Sequence, residues 1–242
     1  RARDHAPFLA RALERRPELA ELMASGDGEA ALRAAKQVRA TDVASALRQE
    51  RLGLALVLLV VYPTLLLANG LRPGPFFAKA WPAIQLGFVS RSSVGTLPVT
   101  ETVTERMGVD KGYAAFAIPL ASTTKMDGCA SIYPALAAIF VAGFYGIPLH
   151  FIDYVLIVFV SVLGSAATAG LTGAIVMLTL TLSTLGLPLE GAGLLLAIDP
   201  ILDMGRTAVN VAGQVLVATL VAKREGLLDE TAYQGEGVPV LS

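Results

Sequence analysis

Ser90-Arg91-Ser92-Ser93-Val94-Gly95 separates two apolar stretches, Pro75 to Val89 before it and Thr96 to Met107 after it. The first stretch gives about 22 Å of helix, short of the roughly 30 Å hydrocarbon core of a bilayer. A helix that stops part-way, turns on small polar residues and returns reads as a re-entrant hairpin. Irregular backbone at that depth is tolerated only against protein or a water-filled cavity. The pattern recurs further on. Phe151 to Leu163 is short and apolar, breaks at Gly164-Ser165-Ala166-Ala167-Thr168-Ala169-Gly170-Leu171-Thr172-Gly173, and is followed by Ala174 to Leu185. Two interrupted segments in matching positions predict an inverted repeat, with halves 75–145 and 151–222 and a ligand site where the tips meet. The expected fold class is an all-α membrane protein with two re-entrant helical hairpins and broken transmembrane helices, preceded by a small soluble helical segment.

Composition supports the membrane reading. Of 242 residues, 54% are hydrophobic and 16% charged, against about 25% charged in soluble domains. Charges crowd residues 1–51 and thin out from Leu52 to Ala222. Residues 1–51 show helical spacing with acids and bases mixed, which predicts a soluble helical extension. Leu52 to Gly70 is long enough to span, with Pro63 placed to kink it. The expected core runs 52–225: span 52–70, hairpin 75–107, broken helix 113–145, hairpin 151–185 and span 194–222, with a tail over 226–242. The net charge of −1 gives no sign of a nucleic-acid partner. The one cysteine, Cys129, excludes an internal disulfide. The chain begins with Arg1 and shows no apolar h-region, so no signal peptide is expected, and a fragment is one reading of it.

Two polar groupings stand in otherwise apolar surroundings. Thr123-Thr124-Lys125-Met126-Asp127-Gly128-Cys129 falls in the middle of the stretch from Tyr113 to Tyr145. A cation, an anion and a glycine at that depth are costly unless they serve a site, and the glycine favours local unwinding. In the last span, Asp199, Asp203, Arg206, Thr207, Asn210 and Gln214 follow one another at steps of 4, 3, 1, 3 and 4. They share one helical face, which must line a site or pathway. The plainer alternative is an internal Asp–Arg ion pair. Lys223 and Arg224 follow directly and place the C-terminus in the cytoplasm by the positive-inside rule.

Three motifs in this order resemble the dicarboxylate/amino acid:cation symporter family, which includes glutamate, aspartate and cystine transporters. Ser90 to Pro98 is similar to its serine-rich first hairpin. Thr124-Lys125-Met126-Asp127-Gly128-Cys129 is similar to its Asn-Met-Asp-Gly-Thr signature, and Ile198 to Val211 to its final-helix signature. The likeness runs from about residue 55 to 225. It implies secondary active symport of an amino acid or dicarboxylate by elevator-type movement of the binding core. Asp203 would receive the substrate ammonium and Arg206 would clamp a distal carboxylate, for which its planar fork is suited. Thr207 and Asn210 would hydrogen-bond the substrate, and Ser92 and Ser93 would face its α-carboxylate. The second hairpin, with Ser165, Ala166, Thr168, Gly170 and Gly173, would be the gate. Thr123, Asp127 and Asn210 would contribute to a sodium site. The likeness implies a multi-pass protein of the inner membrane, with complete members homotrimeric and the surfaces that hold such trimers mostly missing from this chain. Charge reasoning agrees: a zwitterion held away from water needs both an anion and a cation.

Two positions depart from the pattern. Lys125 stands where the family has asparagine, and Gln214 where a carboxylate usually follows the final-helix asparagine. Hard cations prefer oxygen ligands, so this exchange weakens a sodium site. Lys125 and Gln214 are therefore coupling candidates, with Lys125 standing in for a bound sodium and with protons as an alternative coupling ion. Otherwise Lys125 pairs with Asp127 or Asp199. No other cofactor is expected. The Lys-Met-Asp-Gly-Cys variant with Tyr133-Pro134 looks more like the bacterial cystine-uptake branch. Residues 1–50 do not fit the family and faintly resemble the start of glutamine synthetase adenylyltransferase. Two alternatives stay open: a truncated or fused fragment that binds but does not transport, and a channel-like pore. An enzyme is not expected, since no nucleophile–base pair, metal-ligand cluster or phosphate loop occurs in the sequence.

Overall fold

The computed structural model describes residues 44–45, 47–167, 173–189, 195 and 199–235, with the side chains of 165–167 and 173 left aside. The regular structure among these residues is helical, with a single isolated bridge, Val109 to Leu228, as the one β-type pairing among them. The expected breaks are where the helices end. α1 is Leu47–Ala68 and contains a π-helical turn at Val57–Val61. It begins inside the stretch expected to be the soluble extension. α2 is Pro73–Ser90 and α3 is Leu97–Arg106. α4 is Lys111–Thr124, followed by a π-helical stretch, Asp127–Ile132, and α5, Tyr133–Tyr145. α6 is Phe151–Ala167, α7 is Gly173–Thr184, α8 is Asp199–Arg224 and α9 is Glu230–Gln234.

Local chemistry accounts for the boundaries. Pro73 opens α2, where its missing N–H costs nothing. Arg91 closes it in the left-handed region at φ 55°, an uncommon conformation for a residue with a Cβ. The Ser92 Oγ then accepts from Gly95 N at 2.9 Å, and the Thr96 hydroxyl donates to the Ser93 carbonyl at 2.8 Å. These serine and threonine bonds replace helical ones and bring the chain back as α3. Asp110 caps α4 by accepting from Tyr113 N at 2.9 Å. α4 stops at Lys125 and Met126, whose ψ angles of 80° and 62° are not helical.

α8 is the centre of the molecule. At 26 residues it is about 39 Å long, and every side chain from Arg206 through Leu216 is buried. A helix covered all round has neighbours on every side. α2 crosses it where a Cβ on Gly87 would lie 2.9 Å from Val211. The π-helical stretch crosses it where a Cβ on Gly128 would lie 2.5 Å from the Arg206 carbonyl oxygen. α1, α2 and α8 share one apolar core with Tyr62, Phe76 and Val211, while α5, α6 and α7 share another with Val141, Leu178 and Leu182.

Among the described residues, three helical stretches are long and apolar enough to cross a membrane: Leu47–Ala68, Lys111–Tyr145 with its break, and Asp199–Arg224. Leu52, Leu56 and Leu59 on α1, and Phe151, Val158 and Phe159 on α6, are exposed. Such broad apolar faces belong against lipid or further protein, and the chain is an all-α membrane protein.

The stretch after α8 folds back. Gly226 turns at φ 70°, the Leu227 carbonyl accepts from Asp110 N at 2.9 Å, and the Gly108 carbonyl accepts from Asp229 N at 2.8 Å. Lys79 on α2 donates to the Ala232 and Tyr233 carbonyls at the end of α9. Tyr233 is fully buried and donates to the Arg72 carbonyl at 2.8 Å. Tyr233→Ala is expected to destabilise the protein by about 3–5 kcal/mol through lost packing, and Tyr233→Phe by about 1 kcal/mol through the lost hydrogen bond alone. Thermal unfolding in detergent, comparing both variants with wild type, checks the ratio.

Candidate functional site

The polar face of α8 meets the break between α4 and α5, because glycine leaves room there. With no side chain at Gly128, the backbones of α8 and the π-helical stretch approach to van der Waals contact. The Asn210 Oδ1 accepts from Gly128 N at 2.8 Å, and its Nδ2 lies 3.0 Å from the Cys129 sulfur. Both ends of Asn210 are therefore used in joining the two elements. A buried donor freed by the break finds its partner this way.

Arg206 lies one turn earlier and is completely buried. Its Nη1 donates to Glu50 Oε1 at 3.1 Å. Its Nη2 donates to Asp199 Oδ1 at 2.6 Å and, more weakly, to Asp203 Oδ1 at 3.5 Å. The Tyr133 ring stacks on the guanidinium, 4.0 Å from ring centroid to Cζ. The Nε hydrogen has no partner among the described residues. An isolated buried guanidinium would be prohibitive, and these three carboxylates make it tolerable. The internal Asp–Arg pair is thus present, within a larger cluster.

A second cluster lies on the far side of Gly128. Lys125 Nζ reaches Asp127 Oδ1 at 2.5 Å and also bonds Oδ2. The Tyr62 hydroxyl donates to Asp127 Oδ2 at 2.5 Å, and Lys125 Nζ sits 6.0 Å from the Tyr62 ring centroid. Gly213 makes way for this tyrosine, since a Cβ there would lie 2.5 Å from its hydroxyl. Gln214 is fully buried; its Nε2 approaches the Lys125 carbonyl at 3.4 Å, and its Oε1 has no partner among the described residues. Lys125 therefore pairs with Asp127 and not with Asp199. The Asp127 carboxylate expected to bind sodium is held by this ammonium and the Tyr62 hydroxyl.

The remaining expected residues sit around these clusters. Thr207 is buried on α8 beside Arg206, and Ser93 is buried in the turn after α2, while Ser92 is half-buried. That turn follows the crossing of Gly87 over Thr207 and Val211. Thr123 is in the last turn of α4, where its hydroxyl donates to the Leu120 carbonyl at 2.8 Å. Ser165 and Ala166 lie in the last turn of α6 and Gly173 opens α7. Thr168 and Gly170 lie outside the described residues. Sequence reasoning missed Glu50 and Tyr62 altogether and noted Tyr133 only for its likeness to a branch. Glu50 stands in the charged run Arg48-Gln49-Glu50-Arg51, and nothing in that run separates a buried acid from a solvated one.

Residues 47–224 match the sodium:dicarboxylate symporter family, and the chain belongs to that family. It is a transporter-family protein and not an enzyme. It is 34% identical over 209 residues to the L-cystine uptake protein TcyP of Bacillus thuringiensis strain Al Hakam, covering 82% of this chain and 45% of the relative. The L-cystine uptake protein TcyP of Shouchella clausii is 37% identical over 180 residues, covering 74% and 39%. An uncharacterised symporter of Haemophilus influenzae is 40% identical over 167 residues, covering 68% and 38%. The chain spans less than half the length of these curated relatives.

The close approach at Gly128 yields a sharp test. Gly128→Ala drives a methyl group into the Arg206 backbone, which cannot swing aside as a side chain would, and is expected to destabilise by about 1–3 kcal/mol. Gly143→Ala on α5, with nothing within 4 Å of the added carbon, is expected to be neutral or stabilising by up to about 1 kcal/mol. Melting temperatures of the two variants in detergent should move in opposite directions or, at least, only the first should fall.

Proposed function

We propose that this chain is the substrate-binding core of a cation-coupled symporter for an amino acid or dicarboxylate bearing two carboxylates, in the class of cystine, aspartate or glutamate. One observation carries the reading: Arg206, wholly buried, is surrounded by carboxylates and stacked on Tyr133 beside a broken helix. A guanidinium held in such a place has its desolvation already offset and its orientation fixed, which suits it to exchange one carboxylate for another. Asp203 is the weakest of its partners and is the acid best placed to take a substrate ammonium. Thr207, Ser92 and Ser93 supply hydroxyl groups for the α-carboxylate and backbone. Asn210, with both ends engaged, positions the break and contributes to the site through it. The names of the cystine-uptake relatives favour cystine within this class.

In this reading the two helix–turn–helix units, α2–α3 and α6–α7, are re-entrant hairpins of an inverted repeat. The tip between α6 and α7 gates the site, and the core moves as an elevator in the inner membrane. Lys223 and Arg224 mark the cytoplasmic end of α8. The Lys125 ammonium, on Asp127, takes the place of one coupling sodium, so transport uses fewer sodium ions or a proton. A second reading is of a core that binds substrate without transporting it.

Titration of cystine, aspartate and glutamate into the detergent-solubilised chain, with sodium and with choline, tests the core claim. Arg206→Gln is expected to weaken binding of the preferred diacid by at least about 30-fold, the lower end of the 2–5 kcal/mol cost of breaking a buried charge pair. Binding unchanged in Arg206→Gln would refute the site. Lys125→Asn is expected to make binding at least ~10-fold more dependent on sodium, by returning Asp127 to a hard cation. An unaltered sodium response would remove Lys125 from coupling. Uptake into proteoliposomes distinguishes transport from binding alone.

A further inference from the structure

The Arg206 cluster contains three carboxylates for one guanidinium, and they are not equivalent. Asp199 and Asp203 are on α8 itself, seven and three residues before Arg206, and travel with it as one rigid helix. Glu50 comes from the first turns of α1, 156 residues away in the chain. Its side chain is only 5% exposed, and its carboxylate is the one partner of Nη1 among the described residues. A planar guanidinium clamps an incoming carboxylate through two neighbouring N–H groups. Both Nη groups are engaged, Nη1 by Glu50 and Nη2 by the aspartates. The side-on edge has its Nε hydrogen unpaired but shares Nη2 with Asp199.

We infer that the Glu50 carboxylate is an internal stand-in for the substrate's distal carboxylate, holding Nη1 of Arg206 until a diacid displaces it. This rests on the reading of Arg206 as the substrate's carboxylate anchor. The surplus of negative charge gives the physical reason. With the substrate ammonium on Asp203, adding a distal carboxylate would leave three anions, that carboxylate, Asp199 and Glu50, on one guanidinium in a medium of low dielectric, where like charges repel strongly. Of the two acids not taken by the ammonium, Glu50 is the one carried by another helix, so its departure leaves the contacts within α8 in place. Its side chain has three rotatable bonds and lies near the start of α1. In the empty state Glu50 keeps the buried guanidinium paired, so the site does not collapse. In the bound state the substrate takes over that pairing. The arrangement discriminates among ligands, because one with no distal carboxylate cannot compensate Arg206 for losing Glu50.

The test uses Glu50→Gln, which keeps shape and an acceptor oxygen but removes the competing charge. In equilibrium titrations of the full chain in detergent, E50Q is expected to bind cystine and aspartate at least ~10-fold more tightly than wild type. Asparagine, which lacks the distal carboxylate, should show no such gain. Glu50→Asp, shorter by one methylene, draws the carboxylate back from Nη1 and is expected to shift the diacids in the same direction if E50Q proves unstable. A fixed structural counterion behaves in the opposite way. If both variants bind diacids no better than wild type while Arg206→Gln abolishes binding, Glu50 is such a counterion and the inference is overturned. If Arg206→Gln binds diacids normally, the reading of the anchor itself fails. Absence of diacid binding in wild type, E50Q and E50D alike overturns both.

Discussion

A positive charge with no exposure to solvent sets the terms for the rest of this molecule. Arg206 requires carboxylates, and the fold supplies them from its own helix and from α1. It requires a flat surface, and Tyr133 supplies one at the start of α5. It also requires that a second backbone come close enough to exclude water. Gly128 allows this, because any larger residue would collide with the Arg206 carbonyl. The break at Lys125 and Met126 follows from the same demand. A continuous helix from α4 into α5 would carry its amide at Gly128 in an internal hydrogen bond, whereas the broken one offers that amide to Asn210.

Two charge clusters thus flank one glycine. On one side an arginine is held by three acids; on the other an acid is held by a lysine and a tyrosine. The two are joined by α8, which carries Arg206, Asn210 and Gln214 in successive turns of one face. In the proposed function, occupancy of either cluster would be felt along this single helix. This is the kind of connection that coupling of a substrate to an ion needs, since both ligands must bias the same structural equilibrium.

Much of this was legible in the sequence because depth in a membrane makes polarity expensive. The polar run after Val89 and the run Thr123 to Cys129 announced turns and a break, and the structure has them at Arg91 to Thr96 and at Lys125 to Met126. The stripe from Asp199 to Gln214 was readable from helical spacing alone. Pairings across the fold were not. Glu50 lay beyond the edge of the apolar run, among charges that look solvated, and only the packing of α1 against Gly205 brings it to Arg206. Tyr62 sat in a span rich in apolar residues, where a hydroxyl group gives no periodic signal. The partnership of Lys125 with Asp127 was one of two open choices, and backbone unwinding between the two residues decided it. A residue's own neighbours report its depth; its partner is reported by topology.

The π-helical stretch from Asp127 to Ile132 widens one turn of the chain by a residue. It therefore acts as a phase shifter between two straight segments. Everything before it is indexed to the lysine–aspartate pair, and everything after it to the tyrosine face of α5. Removing any one residue from that stretch would rotate α5 by about 100° about its own axis. Tyr133 would turn away from Arg206, and the apolar face that packs on α6 and α7 would turn with it. The spacing between the ion pair and the aromatic platform is thus a constraint on chain length, and insertions or deletions here are far less tolerable than substitutions of similar size.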